Sequence, residues 1–253
     1  MFSPNGAAAV KLNNVRFYYR GGKELYDDFS LDISIGSKVS LMGANGTGKS
    51  TLGKLITKQI SPSAGSIVWS SEFAKNSDVF YLEQRTMNNV FPWQTVVENV
   101  RYPLKKKSRA RGEIDERVRW LCHTFNLDYL LYKYPAQLSG GELQRLALAR
   151  CFSISPKLTV LDESFSALDN SSKKEILESV RLLAEQNSMT LILINHNLQD
   201  TMFLSDRCVI IGDNPVSIVS DVDLRESRFQ NNQENENKAV EEILTEGLRH
   251  GIF

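Results

Sequence analysis

The chain has 253 residues, 42% hydrophobic and 24% charged, with Lys+Arg and Asp+Glu balanced at 30 each. That length allows a single large domain, or a domain with an insertion, around a sizeable core. The zero net charge provides no global field for a nucleic acid or an anionic membrane surface. Three cysteines, Cys122, Cys151 and Cys208, form no CxxC pair and are odd in number, which argues for reduced thiols over a disulfide framework or a zinc site. No run approaches the roughly 18 apolar residues of a membrane helix. Met1 to Val10 lacks the basic head and apolar run of a secretory leader. A cytosolic protein is expected, reaching a membrane only by recruitment.

In chain order, Val15–Tyr18, Phe29–Ile35 and Lys38–Met42 are short apolar segments separated by turns at Gly21-Gly22 and Gly36-Ser37. Phe29 to Ile35 alternates with period two, the pattern of a half-buried antiparallel strand. Val79–Leu82 forms a further strand ending at Glu83-Gln84. From Val96 to Leu131 the pattern is helical, punctuated by Pro92, Pro103 and Pro135. Then follow a helix opening at Ser139, a buried strand Leu158–Leu161, a helix from Ser171 to about Gln186, a buried strand Thr190–Ile194 and a last strand Arg207–Ile211. Buried strands alternating with helices indicate a parallel sheet covered on both faces. Glu226–Lys238, rich in Gln, Asn and Glu, is expected to be a loose linker, and 239–249 a short helix. There is no internal repeat, so one catalytic unit per chain is expected.

Gly43-Ala44-Asn45-Gly46-Thr47-Gly48-Lys49-Ser50 fits GxxxxGK[ST] at every fixed position, between the apolar Val39–Met42 and the helix-like Thr51–Leu55. The glycines let backbone N–H groups turn inward around phosphates, and the helix N-terminus adds a favourable dipole. Lys49 is expected to reach the β- and γ-phosphates, and the Ser50 hydroxyl to bind Mg2+. Leu158–Glu163 places Asp162 and Glu163 at the end of an apolar strand. Alone, this is an ordinary solvated strand end. Beside a phosphate loop, Asp162 suits the metal that bridges the phosphates, and Glu163 suits the orientation or deprotonation of the attacking water.

Leu138-Ser139-Gly140-Gly141-Glu142-Leu143-Gln144-Arg145 resembles the signature sequence of ABC ATPases, and Ser139 lies 23 residues before Asp162, near the family spacing. Physically, Ser139-Gly140-Gly141 opens a helix whose N-terminal N–H groups suit a phosphate. The resemblance implies a head-to-tail dimer that sandwiches two ATP molecules, each between one copy's phosphate loop and the other's signature. It further implies that Ser166-Ala167-Leu168-Asp169 is the D-loop, that His196 is the switch histidine on the γ-phosphate, and that Gln84 is the Q-loop glutamine sensing Mg2+ and water. Tyr19 resembles the aromatic that stacks on adenine, with Tyr18 and Phe17 as neighbouring alternatives. The expected nucleotide contacts are therefore Tyr19, Gly43, Asn45, Gly46, Thr47, Gly48, Lys49, Ser50, Thr51, Ser139, Gly140, Gly141 and Asp169. The metal ligands would be Ser50, Gln84 and Asp162, and the catalytic groups Glu163, His196 and Gln84.

The implied fold is an α/β P-loop NTPase (ABC ATPase) core over 9–222, with a parallel sheet, an N-terminal antiparallel β subdomain and a helical subdomain inserted at about 86–134. Residues 223–253 would form the polar linker and terminal helix. Ser164 and Asn197 stand where the family often has Pro and Asp, and Gln84 to Trp93 is about two residues longer than in close relatives. Neither substitution removes a group that hydrolysis requires. Phe91–Val100 and Asp206–Val219 resemble the ATPases of nitrate, sulfonate and taurine importers. This implies an import ATPase with ATP and Mg2+ as its ligands. Its partners would be a second copy or a paralogous ATPase, integral membrane permease subunits and an extracytoplasmic solute-binding protein, with no nucleic acid. Its place would be peripheral, on the cytoplasmic side of the inner membrane. An exporter or lipid-trafficking ATPase, or a soluble ABC protein acting on nucleic acid or ribosomes, is the alternative. The basic run Lys105–Arg111 suits a solvated face or a phospholipid or partner contact.

Overall fold

The computed structural model describes residues 7–22, 24–73, 78–105, 111–225 and 233–252. Residues 106–110 of the basic run lie outside the described residues. In chain order the elements are β1 (Ala8–Tyr18), β2 (Glu24–Ser34), β3 (Lys38–Met42), α1 (Lys49–Ile56), β4 (Ala64–Trp69), β5 (Val79–Leu82), α2 (Val96–Lys105), α3 (Arg111–Thr124), α4 (Gly140–Ile154), β6 (Leu158–Asp162), α5 (Asn170–Gln186), β7 (Thr190–Ile194), α6 (Leu198–Leu204), β8 (Arg207–Gly212), β9 (Ser217–Asp223) and α7 (Gln233–Arg249). The chain divides into two compact units, one of Met1–Tyr81, Lys157–Asp162 and Ser188–Phe253, the other of Leu82–Pro156 and Glu163–Asn187.

The first unit holds two sheets. In the three-stranded one, β1 lies between β2 and β4 and pairs antiparallel with both. Phe29, Leu31 and Ile33 of β2 are all buried, the period-two face that the sequence indicates. The second sheet has the order β5-β6-β7-β3-β8-β9, with β6/β7, β7/β3 and β3/β8 parallel and β8/β9 antiparallel. Every residue of β6, β7 and β8 is buried, as expected for parallel strands covered on both faces. One core cluster joins Leu52, Leu55 and Ile56 of α1 to Val39, Leu41, Val160, Ile192 and Ile194 and to the three-stranded sheet. On the other strand faces, Met42, Cys208 and Ile210 pack with Val222, Leu224, Ala239 and Ile243, and with Leu198 and Met202 of α6.

Three features depart from the sequence expectations. Ile211 does not end the sheet, because β9 adds an antiparallel edge strand; only Val222 on it is buried, too little for a hydrophobic pattern. The edge strand β4 was equally hidden, with exposed Ala64, Gly65 and Ser66. The terminal helix begins at Gln233 within the expected linker, fixed to the second core cluster by Ala239 and Ile243.

Gly53 sets how closely α1 approaches the sheet. A Cβ there would lie 2.6 Å from Tyr81 Cε2 and 3.1 Å from both Ile194 Cδ1 and Val160 Cγ1. Replacing Gly53 with Val is expected to destabilise the fold by about 1–3 kcal/mol through overpacking, read as a lower midpoint in chemical denaturation. An unchanged midpoint would show that the helix gives way freely.

In the second unit α2, α3 and α4 pack on one another. Its buried side chains include Val100, Leu104, Val118, Leu121, Phe125, Leu146, Leu148 and Phe152, with Phe125 and Phe152 stacked at 5.9 Å. All three cysteines are buried. Burial pushes the Cys122 thiol up to about 12, so it stays protonated and inert at neutral pH.

Candidate functional site

In the first unit, strand register gathers three sequence-selected groups on one sheet edge. Asp162 pairs with Ile194 across β6/β7, and Leu41 pairs with Ile194 across β3/β7. The last residue of β6 is therefore Asp162 itself, while Gly43 and His196 stand just beyond the ends of β3 and β7. The C-terminal edge of parallel strands is where open α/β sheets bind ligands.

The phosphate loop is built by backbone needs that only its own residues meet. Gly46 and Gly48 have φ of 85° and 91°, the left-handed region that glycine enters without strain. A Cβ on Gly43 would sit 2.6 Å from the Ile211 carbonyl oxygen, and one on Gly48 would sit 2.9 Å from the Tyr26 hydroxyl. Thr47 Oγ1 donates to Ala44 O at 2.8 Å, and the buried Lys49 Nζ donates to Gly43 O at 2.6 Å and Ala44 O at 2.8 Å. The ammonium is thus held by the loop's own carbonyls. Asn45, Gly46 and Ser50 are exposed. Tyr26, fully buried, donates its hydroxyl to Gly48 O at 2.8 Å; burial holds its phenol well above the ordinary range, so it remains a donor.

Among the three aromatics near the start of the chain, Phe17 is buried, while Tyr18 and Tyr19 are half exposed. Tyr19 Oη lies 3.0 Å from Thr51 Oγ1 on α1, and its ring meets Phe17 edge-on at 5.0 Å. These contacts place an exposed ring beside the first turn of α1. His196 is exposed, between Asn195, which is buried, and Asn197, which is partly buried. Asn197, where the family often has Asp, caps α6 by accepting from Asp200 N at 3.0 Å. Asn195 Oδ1 accepts from Thr201 Oγ1 at 3.1 Å, so the histidine turn is fixed on both sides.

Tyr81, which sequence reasoning missed, donates its hydroxyl to Asp162 Oδ2 at 2.5 Å, with Ser50 O at 3.4 Å. Asp162 and Tyr81 are both buried. The ring thereby ties the carboxylate to the start of α1. A serine hydroxyl and a carboxylate on adjoining elements are hard oxygen donors that suit Mg2+. No sequence signal marks Tyr81, because its partner is 81 positions away.

In the second unit, Gln84 Nε2 donates to Glu163 Oε2 at 2.6 Å. Glu163 has φ of 46°, a left-handed conformation uncommon for a residue with a Cβ and often found at functional turns. Buried asparagines pin the segment that carries Gln84. Asn89 Oδ1 accepts from Glu83 N at 2.9 Å and its amide donates to Glu83 O at 2.8 Å. The side chain of Asn99, fully buried, brackets Phe91 by accepting from its N–H at 2.7 Å and donating to its carbonyl at 3.0 Å. Arg150 donates to Asn89 O and lies 4.3 Å over the Phe91 ring. Phe91 in turn contacts Trp93 at 5.4 Å and Tyr102 at 5.0 Å, and Trp93 is 71% exposed.

Ser139 caps α4 with a reciprocal box: its Oγ accepts from Glu142 N at 3.3 Å, and its N–H donates to Glu142 Oε2 at 2.7 Å. The hydrogen bond from the Ser139 N–H holds the Glu142 carboxyl below its ordinary range, so this cap persists through that range and is lost as pH falls beneath it. Gly140 is exposed at this helix start. Asp169 caps α5, accepting from Ser172 N at 2.9 Å. Gln144, within the stretch Leu138–Arg145, bonds the turn after β6.

Residues 26–166 match the family model described as ABC transporter, more than half of the chain. The sulfate/thiosulfate import ATP-binding protein CysA of Pseudomonas aeruginosa is 36% identical over 214 residues, 81% of this chain and 64% of that protein. The spermidine/putrescine import ATP-binding protein PotA of Aliivibrio fischeri is 33% identical over 212 residues, 81% of this chain and 56% of the relative. The chain thus spans just under two thirds, or less, of the length of these curated relatives. Among solved structures, the dimeric MJ0796 ATP-binding cassette bound to ADP and Pi superposes with a TM-score of 0.75 at 26% identity, over 85% of this chain and 99% of the cassette. The cbiO1 structure from Clostridium perfringens, at 21% identity and TM-score 0.74 over 96% of each chain, shares the fold.

Proposed function

The chain belongs to the ABC transporter family, and from that premise we propose that it is an ATP-hydrolysing subunit which dimerises around two ATP molecules and powers solute import through separate membrane subunits. The observation that carries this reading is the strand register that puts the phosphate loop, Asp162 and His196 on one edge of the sheet. The loop of Gly43–Ser50, with Asn45, Gly46, Thr47 and Thr51, wraps the phosphates through backbone N–H groups, and Lys49 neutralises their charge. Tyr19 offers its ring to adenine.

Ser50 and Asp162, with Gln84, are the groups that would hold Mg2+, which would neutralise charge on the phosphates. Glu163 takes the proton of the attacking water or orients it, and Gln84 fixes the carboxylate that does so. His196 serves the γ-phosphate from the end of β7. The signature turn Ser139-Gly140-Gly141 heads a helix of good formers and offers a second phosphate site. One phosphate loop and one separate helix start per chain suit a pairing in which each site draws on both copies, with Asp169 of the D-loop between them.

The import direction follows the relatives named as import ATP-binding proteins for sulfate/thiosulfate and for spermidine/putrescine. Among the described residues no helix is long and apolar enough to cross a membrane. On the import reading the partners are integral membrane permease subunits and an extracytoplasmic solute-binding protein. The exposed aromatic group around Trp93, braced by Arg150, is the surface offered to the permease on the cytoplasmic side of the membrane. Purification in mild detergent is expected to recover the chain with an integral membrane protein, and addition of the transported solute to raise its ATPase rate. Recovery with ribosomes or nucleic acid in place of a membrane protein would contradict the reading.

A further inference from the structure

Gln144 lies in the second turn of α4 and is only 3% exposed. Both ends of its amide are taken by the turn that follows β6. Oε1 accepts from Ala167 N at 3.0 Å, and Nε2 donates to Glu163 O at 3.3 Å. The same Glu163 carbonyl accepts from Ser166 Oγ at 3.0 Å and from Ser166 N at 3.3 Å. Next to this amide the helix and the turn are in close contact, since a Cβ on Gly141 would lie 3.2 Å from Ala167 O. A buried amide is costly to leave unpaired, so the helix start and the turn favour one mutual arrangement. The Gly141 contact has the same effect, because no side chain separates the signature turn from Ala167.

Glu163 holds its carboxylate from a left-handed backbone position within that turn, so its placement depends on how the turn is held. We propose that Gln144 is a positioning residue that couples the two nucleotide sites of the dimer. This rests on the sandwich reading, in which Ser139–Gly141 meets the partner copy's nucleotide while Glu163 serves the site of its own chain. Closure of the signature turn on the partner's ATP then fixes, through the Gln144 amide, the backbone that aims Glu163. Nucleotide engagement at one site is thereby felt at the carboxylate of the other.

The test compares the full-length chain with its Gln144→Met variant, which keeps the length of the side chain and removes the amide. ATP affinity measured with a fluorescent nucleotide is expected to change less than about twofold, while kcat falls roughly 10–100-fold, the scale of a displaced catalytic group. The Hill coefficient for ATP is expected to fall toward about 1, because the coupling between sites is lost. A variant that keeps the wild-type Hill coefficient and kcat overturns the proposal, as does one that loses affinity and kcat in parallel. A measurement on the Glu163→Gln chain alone covers a Gln144 variant that fails to fold. There, amide exchange of 139–145 and 163–168 is expected to slow together as ATP drives dimerisation. Protection of one segment without the other overturns the coupling and leaves the dimer intact. A Glu163→Gln chain that stays monomeric with ATP overturns the sandwich and the coupling with it.

Discussion

Replacing Glu163 with Gln is expected to lower ATP hydrolysis by about 10²–10⁴-fold, the usual contribution of a positioned general base, with ATP affinity unchanged within about twofold. The substitution is conservative where structure is concerned. Glutamine keeps the length of the side chain, and its carbonyl oxygen can accept from Gln84 Nε2 as Glu163 Oε2 does at 2.6 Å. The left-handed backbone at φ 46° carries one long unbranched side chain as readily as the other. What is lost is the basic oxygen alone. Phosphate release measured beside nucleotide binding separates the two effects, and a loss below about fivefold would mean that another group activates the water.

Replacing Lys49 with Ala should act on the other quantity. Lys49 is buried, 7% exposed, and its ammonium donates to Gly43 O at 2.6 Å and Ala44 O at 2.8 Å. That places the cation in the loop that would wrap the phosphates. Hydrogen bonds to charged groups contribute about 1.5–3 kcal/mol each, so losing one such contact weakens ATP binding by roughly 10–150-fold. The helix behind the loop should remain folded, because Leu52, Leu55 and Ile56 stay in the core and Tyr26 still holds Gly48 O. Calorimetric titration with ATP checks the affinity, and thermal unfolding checks that the fold remains. An affinity within about twofold of wild type would place the phosphates elsewhere.

The fold and the site were legible in the sequence to different degrees, for physical reasons. The phosphate loop was legible because its glycines, Lys49 and Ser50 form one contiguous eight-residue pattern, although the neighbours that crowd Gly43 and Gly48, Ile211 and Tyr26, lie far off in sequence. The parallel strands were legible because burial on both faces demands unbroken apolar runs, as at Thr190–Ile194. The edge strands Ala64–Trp69 and Ser217–Asp223 bury too little to show a pattern. The terminal helix was expected at 239–249, where Ala239 and Ile243 anchor it; its first turns from Gln233 were hidden by polar composition. Side chains that position the site from afar gave no signal at all. Tyr81 meets Asp162, and Gln144 meets Glu163 and Ala167, through contacts that exist only once the chain is folded. Gln144 stands within Leu138–Arg145, but nothing in that stretch marks its distant partners.

One phosphate loop and one separate signature turn per chain make the central claim a claim about pairing. Light scattering on the Glu163→Gln chain, with and without saturating ATP, tests it most directly. A monomer that becomes a dimer on adding ATP, with one nucleotide retained per chain, is the predicted result; a chain that binds ATP and stays monomeric contradicts it.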